Sequence, residues 1–324
     1  MQAIVYHRYG PPDVLELQEI PKPTPAEGQV LIRVHAASVN PYDWHFLRGT
    51  PSFIRLISGM GRPKFPRLGA DVAGVVEAVG AEAAPFKPGD AVFGTAKGSF
   101  AEYACAPASQ LAVKPQEISF EQAACLPIAG VTALQGVRDI GKVQNGQTVL
   151  INGAAGGVGT FAVQIAKSLG ARVTGVCSTR NVELVRSIGA DEAIDYTRED
   201  FAHSAQHYDL LFDLVGNRSL ADCLRAVEPR GTYISCSGGG PDRSTMDLVA
   251  GLLKNAVRSH FVSQKMPGLI AKINPEDLAM LADLVQRGKV IPVVDRTYPL
   301  REIAEAVRHV ESGHARGKVV IAVA

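Results

Sequence analysis

Two patterns of apolar and polar positions divide this chain. Over residues 1–118, short apolar runs are punctuated by proline and glycine, as at 1–8, 30–37, 72–80 and 91–94. Pro85-Phe86-Lys87-Pro88-Gly89-Asp90 is a turn by its chemistry, because proline fixes φ and Gly-Asp closes the bend. Runs this short and regularly spaced predict a small, mostly β domain. From Ser119 the pattern changes. Ser119-Phe120-Glu121-Gln122 has the form of a capping box, and a helical stretch follows it. Strand-like runs then recur at 148–152, 172–177, 193–195, 208–214, 230–236 and 257–263, mostly with helical periodicity between them. That alternation predicts a parallel, doubly wound sheet. Helical stretches at 275–288 and 300–312 and a strand-like run at 318–323 end the chain and are expected to return to the first domain. The expected organisation is α/β, with one domain from 1–120 completed by 265–324 and a second over 121–264.

The sharpest local signal is Thr148-Val149-Leu150-Ile151-Asn152-Gly153-Ala154-Ala155-Gly156-Gly157-Val158-Gly159. A β-branched strand breaks into small residues, and a helical pattern follows from Phe161 to Leu169. Exposed amides and the dipole at such a helix start favour a phosphate. Gly156 and Gly159 let the backbone approach a pyrophosphate, although the first glycine of a strict G-x-G-x-x-G is here Ala154. A second strand at 172–177 closes a βαβ unit. An NAD site usually places an acid about 20 residues beyond the glycines, on the ribose 2′-hydroxyl. This chain has Cys177-Ser178-Thr179-Arg180-Asn181 instead. An acid repels a 2′-phosphate, whereas Arg180 can fork onto it with Ser178 and Thr179 adding donors. NADP(H) is the expected cofactor.

Composition narrows the picture. The 33 basic and 32 acidic residues of the 324 give a net charge of +1, with no long block of one sign. No nucleic-acid or membrane partner is therefore expected. The N-terminus reads directly as a strand rather than as a signal peptide, and no run approaches a membrane span. Cys105, Cys125, Cys177, Cys223 and Cys236 are scattered without a C-x-x-C pair, which suits small buried residues in a reducing, cytoplasmic setting.

Several longer stretches are more specific. They are Ala36-Ala37-Ser38-Val39-Asn40-Pro41-Tyr42-Asp43, Leu68-Gly69-Ala70-Asp71-Val72-Ala73-Gly74, Phe86-Lys87-Pro88-Gly89-Asp90-Ala91-Val92, Leu126-Pro127-Ile128-Ala129-Gly130-Val131-Thr132-Ala133 and the glycine turn. Through them the chain resembles, over essentially its whole length, the medium-chain dehydrogenase/reductase family, in its zinc-free quinone oxidoreductase (zeta-crystallin-like) branch. The resemblance implies a GroES-like, mostly-β catalytic domain built from both chain ends, a Rossmann domain between, and NADPH. It also implies a homodimer whose Rossmann sheets join through the 257–263 edge strand. On the cofactor side it carries Thr132 to the nicotinamide ribose and Asn152 with the turn Gly153, Ala154, Gly156, Gly157, Val158 and Gly159 to the pyrophosphate. Tyr196 goes to the adenosine phosphate edge. Val215, Ser237, Gly238, Phe261 and Ser263, at later strand ends, are further candidates, as is Lys318.

Zinc-dependent members of the sister branch carry a cysteine where this chain has Asn40, a His-Glu pair at Ala70-Asp71, and a cysteine near Ile128. A catalytic zinc needs about three N or S ligands, which those residues do not supply, so no metal is expected. Without a Lewis acid, alcohol oxidation is disfavoured. Hydride transfer to a quinone, or to the β-carbon of an enone or enal, requires only hydrogen-bond donors at an oxygen that gains charge. Asn40 and Tyr42 are the candidates there, Tyr42 also as a proton donor. Alternatively Asn40 holds a turn before Pro41 and Tyr42 is a partly buried aromatic. Asp43 reads as a structural acceptor rather than a base. The long loop at 48–66, basic and apolar by turns, either walls an acceptor pocket or packs as a surface flap. The other open class of function is an NADPH-binding protein with a structural, sensory or nucleic-acid-binding role.

Overall fold

The short apolar N-terminal runs pair into sheets, and the longest of them buries side chains on both faces. The computed structural model describes residues 1–236 and 263–323. The chain divides into two units, one of Met1–Val131, Lys272–Gly288 and Pro292–Ala324, the other of Thr132–Ala271 and Lys289–Ile291.

In the first unit, β1 (Gln2–Val5) and β2 (Glu16–Glu19) form a small antiparallel pair. The long strand β3 (Gln29–Val39) is followed by β4 (Asp71–Val79), β5 (Ala91–Thr95), β6 (Tyr103–Pro107) and β7 (Leu111–Val113). β4 and β6 both pair antiparallel with β3, and β5 and β7 extend the sheet beyond β4. After β3 the chain enters α1 (Pro41–Arg48), which ends on left-handed Gly49, and then α2 (Phe53–Ser58). The sequence predicts only a turn at Asn40-Pro41 and a loop at 48–66. Proline at the first helical position sacrifices no intrahelical bond, so the turn continues as a helix. α2 is too short for its periodicity to show. α3 (Phe120–Ala124) opens on the expected capping box: Gln122 N donates to Ser119 Oγ at 3.2 Å and Ser119 N to Gln122 Oε1 at 3.1 Å. α4 (Pro127–Leu134) follows.

The second unit alternates β8 (Thr148–Asn152), α5 (Gly157–Ser168), β9 (Arg172–Cys177), α6 (Val182–Ser187), β10 (Glu192–Asp195), β11 (Tyr208–Asp213), α7 (Leu220–Arg225) and β12 (Val227–Ser235). Its strands are all parallel, in the order β10-β9-β8-β11-β12. The chain winds outward from β8 in one direction, then crosses to β11. Ligands of open α/β sheets bind at the carboxyl ends flanking such a switch. Leu150, Val176 and Leu211 pack with Phe201, Tyr208 and Cys223 in this unit's core. The 257–263 run, expected as the last strand and dimer edge, lies outside the described residues except for Ser263, as do Ser237, Gly238 and Phe261.

The chain then returns to the first unit as α8 (Pro275–Gln286), β13 (Val294–Pro299), α9 (Ile303–Glu311) and β14 (Lys318–Ala322). α9 turns Ile303, Ala306 and Val307 into a core with Ile4, Tyr6, Trp44, Leu47 and Phe100. Each large apolar side chain so buried contributes roughly 1.5–3 kcal/mol. β14 lies antiparallel beside β3, with Val319 opposite Val39, while β4 lies on the other side with Asp71 opposite Ser38. The end of β3 is thereby flanked by the first residues of both neighbours, Asp71 and Lys318. Among the described residues no helix is long and apolar enough to cross a membrane.

Candidate active site

The first element of the site lies in the second unit, where β8 meets α5. Gly153 takes φ +90°, a conformation that side chains resist. A Cβ on Gly159 would lie 2.1 Å from the Gly153 carbonyl oxygen, so Gly159 is required by the turn itself. Gly156, the N-cap of α5, differs: an added Cβ would meet only that same oxygen, at 3.4 Å. The space beyond it is open. Thr160 N donates to the Gly156 carbonyl at 3.0 Å, so the amides of Gly157, Val158 and Gly159 come before this first helical bond. Such amides bind anions, aided by the dipole of the helix they open.

Asp213, buried at the end of β11, pins the neighbouring edge. Its Oδ1 accepts from Asn152 Nδ2 at 2.8 Å and from the amides of Val215 at 3.1 Å and Gly216 at 2.9 Å. Its Oδ2 accepts from the Tyr233 hydroxyl at 3.1 Å, and burial followed by the Asp213 charge raises the Tyr233 pKa. Asn152 Nδ2 also reaches Asn217 Oδ1 at 3.1 Å. The Asn152 amide thus organises the loop after β11, while Val215 is exposed. From sequence Asp213 is legible as the residue that ends this strand at the ligand-binding edge, but not as the acceptor that organises the loop after it.

At the end of β9, Ser178 and exposed Arg180 stand beside Thr179. The Thr179 hydroxyl donates to Asp195 Oδ2 at 2.5 Å. Asp195 ends the adjacent strand β10, so pairing brings a carboxylate to a loop whose own sequence has none. The Thr179 hydrogen bond, with help from Thr197, holds the Asp195 carboxyl below the usual carboxylate range. Ser178 Oγ accepts from Asn181 Nδ2 at 3.2 Å. Tyr196 follows Asp195 with its side chain exposed. Thr132 lies buried on α4, and Ser263 is exposed.

In the first unit the ends of β3, β4 and β14 enclose a polar cluster. Lys318 Nζ donates to Asn40 Oδ1 at 2.6 Å, to the Val39 carbonyl at 3.2 Å and to Asp71 Oδ2 at 3.3 Å. Asn40 Nδ2 donates to Asp71 Oδ2 at 2.8 Å and to the Ser38 carbonyl at 3.3 Å. Asp71 also accepts from Ser38 Oγ at 2.7 Å and from the Ile128 amide at 3.0 Å. Lys318 and Asn40 are nearly buried and Asp71 wholly so. The Asn40 amide and the Lys318 ammonium therefore spend their donors inside the cluster, which makes both positioning groups. From sequence Asp71 is marked only as standing in place of the zinc-dependent branch's His-Glu pair, and its part in this cluster is new.

Asp43 lies on α1, fully buried. It accepts from the Asn40 amide at 2.7 Å and the Gly69 amide at 3.1 Å, the structural role read from its sequence. Desolvation is the main influence on its carboxyl and pushes the pKa up to about 7 against those two donors. Between about pH 4 and about pH 7 the folded chain then holds a proton that the unfolded chain has released. Stability from this group is complete at the acid end and lost as pH rises through about 7, a loss of about 4 kcal/mol. Urea unfolding at both pH values is expected to show that decline in the wild type and not in Asp43→Asn. A parallel decline in both proteins would assign it elsewhere.

Beside Asp43, Tyr42 is 47 % exposed, with its ring 4.3 Å from that of Phe46. Its hydroxyl has no hydrogen-bond partner among the described residues. Burial of the ring's inner part, then the Asp43 charge, raise its pKa. The hydroxyl is accordingly held as a donor, not as a phenolate.

A family model described as an alcohol dehydrogenase GroES-like domain matches residues 26–116, and one described as a zinc-binding dehydrogenase matches residues 188–321. The chain is 34 % identical over 343 residues to the chloroplast envelope quinone oxidoreductase homolog of Arabidopsis thaliana, covering 99 % of this chain and 98 % of the relative. It is 36 % identical over 336 residues to the chloroplastic NADPH-dependent alkenal/one oxidoreductase of the same plant, covering 99 % and 79 %. Its fold is similar to that of the quinone oxidoreductase from Coxiella burnetii, with a TM-score of 0.87 and 33 % identity over 100 % of this chain and 99 % of that one.

Proposed function

Because the chain belongs to the medium-chain dehydrogenase/reductase family, in its quinone oxidoreductase branch, we propose that it is an NADPH-dependent oxidoreductase that delivers a hydride, without zinc, to a quinone or an activated alkene. One observation carries this reading: the buried Lys318 ammonium is bonded to Asn40 and Asp71, at positions that hold metal ligands in the zinc-dependent branch. A divalent cation does not fit that donor set, since a fixed cation already takes the acceptors. Among the described residues no three His, Cys, Asp or Glu side chains form a metal-binding group either.

NADPH supplies the hydride when bound, and the residues present fit its phosphates. The amides of Gly157, Val158 and Gly159 bind the pyrophosphate, and the open space at Gly156 admits it. Ser178 and Arg180 bind the 2′-phosphate, with Thr179 contributing less because its proton goes to Asp195. Tyr42 donates a hydrogen bond to the acceptor oxygen on which charge develops, while Asn40, Asp71 and Lys318 fix the start of the helix that carries it. Arg180→Ala is expected to weaken NADPH binding by about 1–3 kcal/mol, as for a lost charge-assisted hydrogen bond. NADH affinity should stay put. Fluorescence titration checks both, and a wild type that prefers NADH would overturn the cofactor assignment.

The reaction itself is tested by NADPH consumption with a quinone, an enal and a saturated ketone. Turnover is expected with one or both of the first two and not with the ketone. Tight NADPH binding with no turnover of any acceptor would favour the non-catalytic, nucleotide-binding role.

A further inference from the structure

A patch outside this chemistry lies on α2 and the loop after it. Leu56, Ile57, Met60 and Phe65 are between 63 % and 72 % exposed, and Phe53 is 45 % exposed. No comparable cluster of large apolar side chains is exposed elsewhere among the described residues. The platform beneath it is built. Ile54 and Ser58 face inward, the Tyr9 hydroxyl donates to the Gly59 carbonyl at 2.6 Å and lies 2.7 Å from Ser58 Oγ, and Lys64 N donates to the Ser58 carbonyl at 2.7 Å. Arg55 Nε reaches the Gly49 carbonyl at 3.1 Å, with its guanidinium over the Tyr9 ring. These anchors hold the apolar side chains outward.

The charge around the patch is one-sided. From Trp44 to Ala70 there is no Asp or Glu, while Arg55, Arg62, Lys64 and Arg67 fall in this span; Arg48, also within it, is paired with Glu311 on α9 and adds nothing to the excess. Arg62 and Lys64 are exposed among the apolar tips, and Lys97 joins them with its ammonium 5.2 Å from the Phe65 ring centroid. A whole-chain charge of +1 conceals this local excess. Apolar side chains that protrude between exposed cations match the boundary of an anionic bilayer, where acyl chains take the former and headgroup phosphates the latter. A second copy of the chain fits less well, because self-pairing brings two acid-free basic segments together. Nucleic acid fits less well too, because its binding draws on dense Lys/Arg with stacking aromatics rather than aliphatic tips.

We propose that the 53–65 segment is a peripheral docking surface for anionic lipid bilayers, held at the headgroup boundary by Leu56, Ile57, Met60 and Phe65 with Arg62 and Lys64. This stands apart from the redox reading and does not depend on it.

Co-flotation of the full chain with phosphatidylcholine vesicles, with and without phosphatidylserine, tests it. The wild type is expected to float with the mixed vesicles and far less with phosphatidylcholine alone, and to be released as salt shortens the Debye length from about 10 Å to about 3 Å. The pair Leu56→Ser/Ile57→Ser and the pair Arg62→Gln/Lys64→Gln should each weaken binding roughly tenfold, with circular dichroism and melting unchanged. Four results would overturn the proposal. They are no binding of the wild type to mixed vesicles, equal binding to phosphatidylcholine alone, either pair leaving binding unchanged, and substitutions that alter oligomeric mass or acceptor KM but not flotation.

Discussion

Lys318→Met is expected to destabilise the first unit by about 3–5 kcal/mol, the cost of leaving one member of a buried ion pair behind. Asp71 is fully buried, and without the ammonium its charge is left with Ser38, Asn40 and the Ile128 amide alone. Asn40 Oδ1 loses its 2.6 Å donor at the same time. Adding Asp71→Asn removes the orphaned charge, so the double variant should be more stable than the sum of the single losses suggests. Trp44, the single tryptophan, lies in this unit's core, so its fluorescence during urea unfolding reads the unit directly. A loss under 1 kcal/mol for Lys318→Met, or strict additivity in the double variant, would show the cluster to be loosely coupled. NADPH affinity is a second readout: it should survive Lys318→Met if the ammonium serves Asn40 and Asp71, and fall if Lys318 contacts the cofactor.

The glycine turn should separate into two behaviours. Gly159→Ala places a Cβ 2.1 Å from the Gly153 oxygen and 2.8 Å from the Ala154 backbone. Neither neighbour is a flexible side chain, so the turn must shift, at a cost of about 3 kcal/mol. Tight NADPH binding should be lost with it. Gly156→Ala meets no such obstacle, its nearest contact being at 3.4 Å. It should cost about 1 kcal/mol or less, the difference between glycine and alanine at an N-cap. NADPH affinity should still fall more than about tenfold, because the methyl enters the space where a pyrophosphate approaches. Thermal unfolding with fluorescence titration distinguishes the pair. Unchanged NADPH affinity in Gly156→Ala would remove the pyrophosphate from this turn.

Much of this was legible in the sequence, because short apolar, β-branched runs bounded by turn residues mark which stretches become strands. The runs at 148–152 and 172–177 and the tail at 318–323 needed only that rule. Asp43 as an acceptor was likewise local, three residues from the amide it serves. What stayed hidden depends on long-range pairing. Asn40 reads either as a donor to the acceptor oxygen or as a turn residue until β4 brings Asp71 to its Nδ2 across 31 residues of chain and β14 brings Lys318 to its Oδ1 across 278. Thr179 reads as a phosphate donor until β10, packed on β9, presents Asp195. The even charge balance of the whole chain likewise gave no sign that the basic residues between Trp44 and Ala70 would stand beside outward-facing apolar ones.

Metal-free hydride transfer is the central claim, and one experiment addresses it directly. Protein dialysed against chelator and assayed for zinc is incubated with an enal, a quinone in parallel, and NADPH deuterated at the transferring position of the nicotinamide. The expected result is well under one zinc per chain, turnover unchanged by chelation, and, where the enal is reduced, deuterium on its β-carbon. Stoichiometric zinc, with turnover abolished by chelator and restored by added metal, would contradict it.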